Sequence, residues 1–222
     1  MTFTDYLYET AKPIWEKGYQ HPFVQGIGDG TLEPERFSFF MRQDYVYLIE
    51  YARLFALGSL KAPDLSTMST FAKLLDATLN MEMELHRQYA ERLGISREEL
   101  EATEPAPTTL AYSSYMLNLS QRGSLAELIA ALLPCAWSYG EIGERLAQIP
   151  GASDHPLYGE WVRMYASEDF KELATWLIDL LNELAEGKSE AEKKQLETIF
   201  IHTSKFEYLF WDMAWEQAGW TI

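Results

Sequence analysis

The sequence predicts an all-α fold, a single-domain multi-helix bundle spanning residues 1–222. Three observations predict it. Apolar residues recur every three or four positions through long stretches, the period of one helix face. No segment alternates apolar and polar residues between hairpin turns. Ser-x-x-Glu capping boxes punctuate the chain, and no Pro/Gly/Ser-rich linker, low-complexity tract or internal repeat divides it.

The elements follow in order. Residues 3–19 form a first helix, with Pro13 as a kink position. His21-Pro22 through Gly26-Ile27-Gly28-Asp29-Gly30 reads as a loop, because its glycines punctuate the pattern. Pro34 suits the first turn of a long helix reaching about Gly58. Pro63-Asp64 opens another, ending at Leu93 with Gly94 as its cap. Ser96 with Glu99 starts a short helix. Pro105–Gln121 is closed by Gly123, and Ser124 with Glu127 starts a helix running to about Ala147. His155–Ala166 and Glu168–Ala185 follow, the second capped by Ser167 and closed by Gly187. Ser189 with Glu192 starts the last helix, to about Gln217. This is more than a four-helix bundle.

Composition narrows the function classes. Net charge is −16, which argues against nucleic acid and anionic membrane as partners, both being polyanions. No apolar run reaches the roughly 18 residues of a bilayer span. Met1-Thr2-Phe3-Thr4-Asp5 has no basic cluster, so no secretory signal is expected. One cysteine excludes an internal disulfide and fits the cytoplasm. The 7 Trp and 13 Tyr are many for a plain helical scaffold. Each needs a partner for its polar atom, which suggests a core enclosing a cavity with polar points.

The single cysteine, Cys135, follows Pro134 inside a long apolar helical pattern, with Tyr139 one turn on. Pro134 removes one backbone N–H and frees the carbonyl of Ala130, so a kink turning Cys135 toward a cavity is expected. Asp44, Tyr47, Leu48 and Tyr51 share one helix face, continued by Phe37, Phe40 and Met41. A carboxylate on that stripe must meet a donor: a neighbouring Tyr or Arg, or a ligand's N–H groups. Glu207 sits one turn before Trp211 on a similar aromatic face, where desolvation favours the acid form and suits proton donation near neutrality. Tyr112 lines a face with Tyr115, Met116 and Leu119, and Tyr165 ends Trp161-Val162-Arg163-Met164-Tyr165.

Metal and nucleotide patterns are weak. Glu82 and His86 stand at ligand spacing, but neither His86 nor His202 completes the Glu-x-x-His unit of a bundle di-iron site. A structural or surface role is expected for that pair. No G-x-G-x-x-G, P-loop or G-x-S-x-G motif is present.

Three segments carry a resemblance: Met41-Arg42-Gln43-Asp44-Tyr45-Val46-Tyr47-Leu48, Leu133-Pro134-Cys135-Ala136-Trp137-Ser138-Tyr139 and Ser204-Lys205-Phe206-Glu207-Tyr208-Leu209-Phe210-Trp211. Together with Trp161–Ser167 they make the chain similar, along nearly its whole length, to the TenA-type thiaminase II (aminopyrimidine aminohydrolase) family of haem-oxygenase-like fold. The resemblance implies a cytoplasmic homotetramer in thiamin salvage that needs no metal or organic cofactor. It implies a substrate, 4-amino-5-aminomethyl-2-methylpyrimidine, whose amine is replaced by water, and cleavage of thiamin to its pyrimidine and thiazole. Carried over by motif, Cys135 is the nucleophile and Glu207 the acid/base. Asp44 receives the 4-amino edge, Tyr112, Tyr139 and Tyr165 supply hydroxyls, and Tyr47 and Phe210 sandwich the ring. Two rival readings stay open: a haem-oxygenase-like metal oxidase, and a non-catalytic aminopyrimidine-binding protein.

Overall fold

The computed structural model describes residues 1–221. Its described residues form eleven α-helices and no strand: α1 (Phe3–Tyr19), α2 (Pro22–Asp29), α3 (Pro34–Lys61), α4 (Leu65–Ala77), α5 (Met83–Arg92), α6 (Arg97–Glu101), α7 (Pro107–Arg122), α8 (Leu125–Ala147), α9 (Gly159–Tyr165), α10 (Glu168–Ala185) and α11 (Glu190–Glu216). The chain gathers into two compact units. One is Met1–Glu33 with Ile129–Trp215; the other is Pro34–Leu128 with the residues from Glu216 on.

In the first unit, α1 contributes Leu7, Ala11 and Trp15 to the core. Trp15 meets Trp137 at 5.5 Å and Phe200 at 5.8 Å between ring centroids, and its indole N–H donates to Ser204 Oγ at 3.0 Å. An aromatic core thus keeps its polar atom bonded while burying a large apolar body. Pro13 sits within α1, which stays helical to Tyr19.

The loop expected at His21–Gly30 is instead α2. The His21 ring nitrogen caps it by accepting from Phe23 N–H, Pro22 fills the first turn, and Gly30 closes it at φ 77°. Its glycines serve close approach rather than freedom. A Cβ at Gly28 would lie 2.7 Å from the side chains of Leu146 and Ile149, and one at Gly26 would lie 3.0 Å from Leu32.

α8 runs unbroken through Pro134. It also corrects the expectation about bilayer length: its 23 residues hold a window of mean hydropathy 1.2, long and apolar enough for a span. In this fold 72% of that window is buried, as for a helix apolar on all sides inside a core.

α9 is shorter than the helix expected over His155–Ala166. The His155 ring nitrogen accepts from the N–H of Leu157 and Tyr158, which holds that stretch as a turn until Gly159. A Cβ at Gly143 of α8 would sit 2.5 Å from the carbonyl carbon of Tyr165 and 2.7 Å from the amide nitrogen of Ala166. Backbone cannot rotate aside as a side chain can. Gly143→Ala is therefore expected to destabilise the protein by about 1–3 kcal/mol, as overpacking does. Thermal unfolding checks it, with a fall of roughly 2–4 °C per kcal/mol for a chain of this size; an unchanged midpoint would show that the end of α9 shifts freely.

In the second unit, α3 is the longest element, with Phe37, Phe40, Asp44, Tyr47, Leu48 and Tyr51 among its buried residues. A helix opens after Pro63-Asp64 as expected, with Asp64 as its cap, but the single helix predicted to Leu93 is interrupted by a π-helical segment, Thr78–Glu82, before α5. Gly94 closes α5 at φ 76°. Both bonds of the Ser96–Glu99 capping box are present at α6, and both bonds of the Ser189–Glu192 box at the start of α11 in the other unit. At α8, Ser124 N–H donates to Glu127 at 2.6 Å.

Candidate active site

Three of the eight residues singled out by sequence lie in the second unit. Asp44 and Tyr47, three apart on α3, are buried, and Tyr112 on α7 is buried completely. Tyr47 lies 5.2 Å from Tyr112 and 5.5 Å from Tyr51 between centroids, so three rings form one wall. Gln43 sets this arrangement. Its side-chain oxygen accepts from Ala106 N–H and Thr109 Oγ1, both at 2.8 Å, and its nitrogen donates to the Glu104 carbonyl at 3.1 Å. One side chain of α3 thereby fixes the N-terminus of α7 and the direction in which Tyr112 projects. Sequence reading passed over Gln43, whose partners lie more than sixty residues away.

Asp44 has the donor its burial demands, and it is neither Tyr nor Arg. His86 Nε2 lies 2.7 Å from Asp44 Oδ2, and His86 Nδ1 lies 2.9 Å from the backbone carbonyl of Glu82. His86 is 2% exposed, so the surface half of the expectation for it is overturned. Glu82 meets His86 through its backbone carbonyl rather than as a fellow ligand. Burial alone would lower the His86 pKa; the bond to Asp44 and the charges of Asp44 and Glu82 outweigh it and hold the imidazole above its ordinary value. The Glu82 carboxyl is pushed up to about 7 by burial, against the pull of His86 and with the push of Asp44. Among the described residues, no three His, Cys, Asp or Glu side chains gather as a metal site.

The other five residues lie in the first unit. Cys135 and Tyr139 are one turn apart on α8, Tyr165 is the last residue of α9, and Glu207 and Phe210 are neighbours on α11. Tyr139, Tyr165, Glu207 and Phe210 are buried, and Cys135 is half-buried. Tyr139 stacks on Trp211 at 5.0 Å and meets Tyr165 edge-on at 4.9 Å. Trp161 lies 4.6 Å from Tyr165, and Phe170 lies edge-on to Tyr165 at 4.9 Å. Tyr139 and Tyr165 are thus held by rings on several sides, which fixes the rotamers that aim their hydroxyls. Glu207 occupies the buried face of α11 that also carries Phe210 and Trp211. A carboxyl group so placed needs donors or a proton, the condition of a working acid.

Residues 8–217 match the model of the TENA/THI-4/PQQC family. An aminopyrimidine aminohydrolase of Halalkalibacterium halodurans is 69% identical over 220 residues, 99% of this chain and 98% of that one. Among solved structures, a TenA homologue protein from P. horikoshii OT3 superposes with a TM-score of 0.89 at 33% identity, covering 97% of this chain and 99% of that one. A domain of unknown function with a heme oxygenase-like fold from Shewanella denitrificans OS217 reaches a TM-score of 0.77 at 17% identity, over 96% and 92% of the two chains. The all-α, haem-oxygenase-like fold expected from sequence is the fold observed.

Proposed function

The chain belongs to the TENA/THI-4/PQQC family, and from that premise we propose that it is an aminopyrimidine aminohydrolase of thiamin salvage. The observation that carries this reading is the 69% identity, over 99% of the chain, to a relative of that name. The substrate is 4-amino-5-aminomethyl-2-methylpyrimidine, and water replaces its side-chain amine. Thiamin is cleaved by the same chemistry into its pyrimidine and thiazole.

The residue types suit the reaction. Direct displacement at a methylene on an electron-poor ring is slow. Addition of the Cys135 thiolate to a ring carbon, with Glu207 delivering a proton to the adjacent ring nitrogen, makes an electron-rich ring. That ring expels the side-chain amine, in its ammonium form, from the C5 methylene as ammonia. Water adds to the resulting exocyclic carbon and gives its proton to the departed ammonia, the ring-nitrogen proton returns to Glu207, and the thiolate leaves. The net change is water in and ammonia out. Asp44 accepts the 4-amino N–H, which orients the ring. Tyr47 and Phe210 offer flat faces for it, and Tyr112, Tyr139 and Tyr165 supply hydroxyls near the departing amine and the thiol. Flat apolar walls with few polar points suit a flat heterocycle. A bend at Pro134 that turns Cys135 toward the ring is expected on the same reading.

The reading extends to a cytoplasmic homotetramer that uses no metal or organic cofactor, with residues 1–222 acting as one domain. In its support, the family match runs through residues of both compact units. The test follows release of the hydroxymethyl pyrimidine by the purified chain from the aminomethyl pyrimidine, its N-formyl derivative and thiamin. Release from the aminomethyl compound at rates typical of enzymes, about 1 per second or more, is expected. No release from any of the three, with tight aminopyrimidine binding, would favour the non-catalytic alternative.

A further inference from the structure

We propose that His86 is a positioning residue for substrate recognition: it holds Asp44 as a fixed acceptor for the 4-amino edge of the pyrimidine. The inference rests on the aminopyrimidine reading above. It follows from two contacts on one ring. The Glu82 carbonyl, 2.9 Å from Nδ1, has no proton to give, so Nδ1 carries one. Nε2 is 2.7 Å from Asp44 Oδ2, so a single proton lies between the two side chains. The titratable groups facing the ring are Asp44 from α3 and Glu82 from the π-helical segment before α5, and both favour a proton on the imidazole. The carbonyl of Glu82 fixes the ring plane, and the ring plane fixes the carboxylate.

The consequence concerns the kind of atom that meets the ligand. A buried, unpaired carboxyl takes up a proton. Its hydroxyl then meets the 4-amino N–H donor to donor. With His86 Nε2 donating to Oδ2, the carboxyl group is held in place and Oδ1 is presented as an acceptor. Sequence spacing hid this arrangement, because the two residues stand 42 positions apart.

Two substitutions separate the contacts. The amide nitrogen of His86→Gln stands in for Nε2 and still donates to Asp44. That of His86→Asn stands in for Nδ1, keeps the Glu82 bond and abandons Asp44. The probes are 4-amino-5-hydroxymethyl-2-methylpyrimidine and its analogue lacking the 4-amino group, each titrated against the folded variants. His86→Asn is expected to weaken the amino compound about 10- to 100-fold, the worth of a hydrogen bond to a charged group, and to leave the analogue within about twofold. His86→Gln retains most of the affinity, and in an Asp44→Asn background the His86→Asn change has no further effect. Equal losses on both probes, or additive effects of the two substitutions, would overturn the proposal. Nitrogen NMR of the wild-type ring supplies a readout independent of any ligand and of variant folding: both ring nitrogens protonated at pH 7, falling to one in Asp44→Asn. A bare ring nitrogen in the wild type would overturn it as well. Failure of the wild type to bind either probe, with His86 doubly protonated, would instead fall on the aminopyrimidine reading.

Discussion

Cys135→Ser is expected to lower ammonia release from the aminomethyl pyrimidine by about a thousandfold or more, the scale of losing a catalytic nucleophile. The argument is chemical rather than steric. Serine differs from cysteine by one atom, and Cys135 is half-buried at a position with room for either. The fold and the affinity for the hydroxymethyl product are therefore expected to stay near wild type. What changes is the nucleophile. A thiol has a few per cent of thiolate at neutral pH and a soft sulfur; a serine hydroxyl without a neighbouring base is neither ionised nor soft. The chain has one cysteine, which makes a second measurement unambiguous. One equivalent of iodoacetamide alkylates a single site, and activity is expected to fall in step with the mass shift, with substrate slowing both. A serine variant that turns over at near wild-type rate would remove Cys135 from the mechanism.

How much was legible in the sequence differs between fold and site for physical reasons. Helix ends are written locally. Ser96 and Glu99, Ser189 and Glu192, and Ser167 cap as their positions imply, because a cap is made within one turn. The region from Pro22 to Asp29 was misread because a glycine looks the same whether it frees the backbone or lets a neighbour approach. At Gly28 it is the approach of Leu146 and Ile149 that matters, and these lie more than a hundred residues on. The π-helical segment at Thr78–Glu82 left no mark on the apolar period.

The same distinction holds at the candidate site. Asp44 and Glu207 stood out because a carboxyl on an aromatic face contradicts its surroundings, and both are buried. Their environment could be inferred; the identity of the partner could not. Asp44 demanded a donor, and nothing local said that His86 would supply it. For His86 the sequence supports only a structural or surface role beside Glu82, since no Glu-x-x-His unit is completed, and it names no partner on another helix. The backbone carbonyl of Glu82, rather than its carboxyl, accepts a hydrogen bond from the ring's Nδ1–H. Gln43 shows the limit most plainly. It lies inside a recognised motif, beside Asp44, yet its role is to pin residues Glu104, Ala106 and Thr109.

Glu207→Gln is the counterpart of the cysteine experiment, and its expected signature differs. Glutamine keeps the volume and most hydrogen-bonding capacity of a side chain that is 4% exposed, so packing along α11 beside Phe210 and Trp211 is preserved. It cannot deliver a proton to the ring nitrogen and take it back. The expected loss is about 10²- to 10⁴-fold in kcat, the usual contribution of a general acid–base, with KM changing by only a few fold. The pH profile discriminates further. A catalytic acid imposes a limb on which rate falls as pH rises through its pKa, because the protonated fraction disappears. In Glu207→Gln that limb is expected to vanish while the limb set by thiolate formation at Cys135 remains. The two substitutions also differ in what they leave behind. Without Glu207, Cys135 can still add to the ring, so the alkylation rate by iodoacetamide is expected to stay within a few fold of wild type. A Glu207→Gln enzyme with wild-type kcat would mean that another group, or water, protonates the ring. One that loses kcat and thiol reactivity together would mean that Glu207 acts on the cysteine rather than on the substrate.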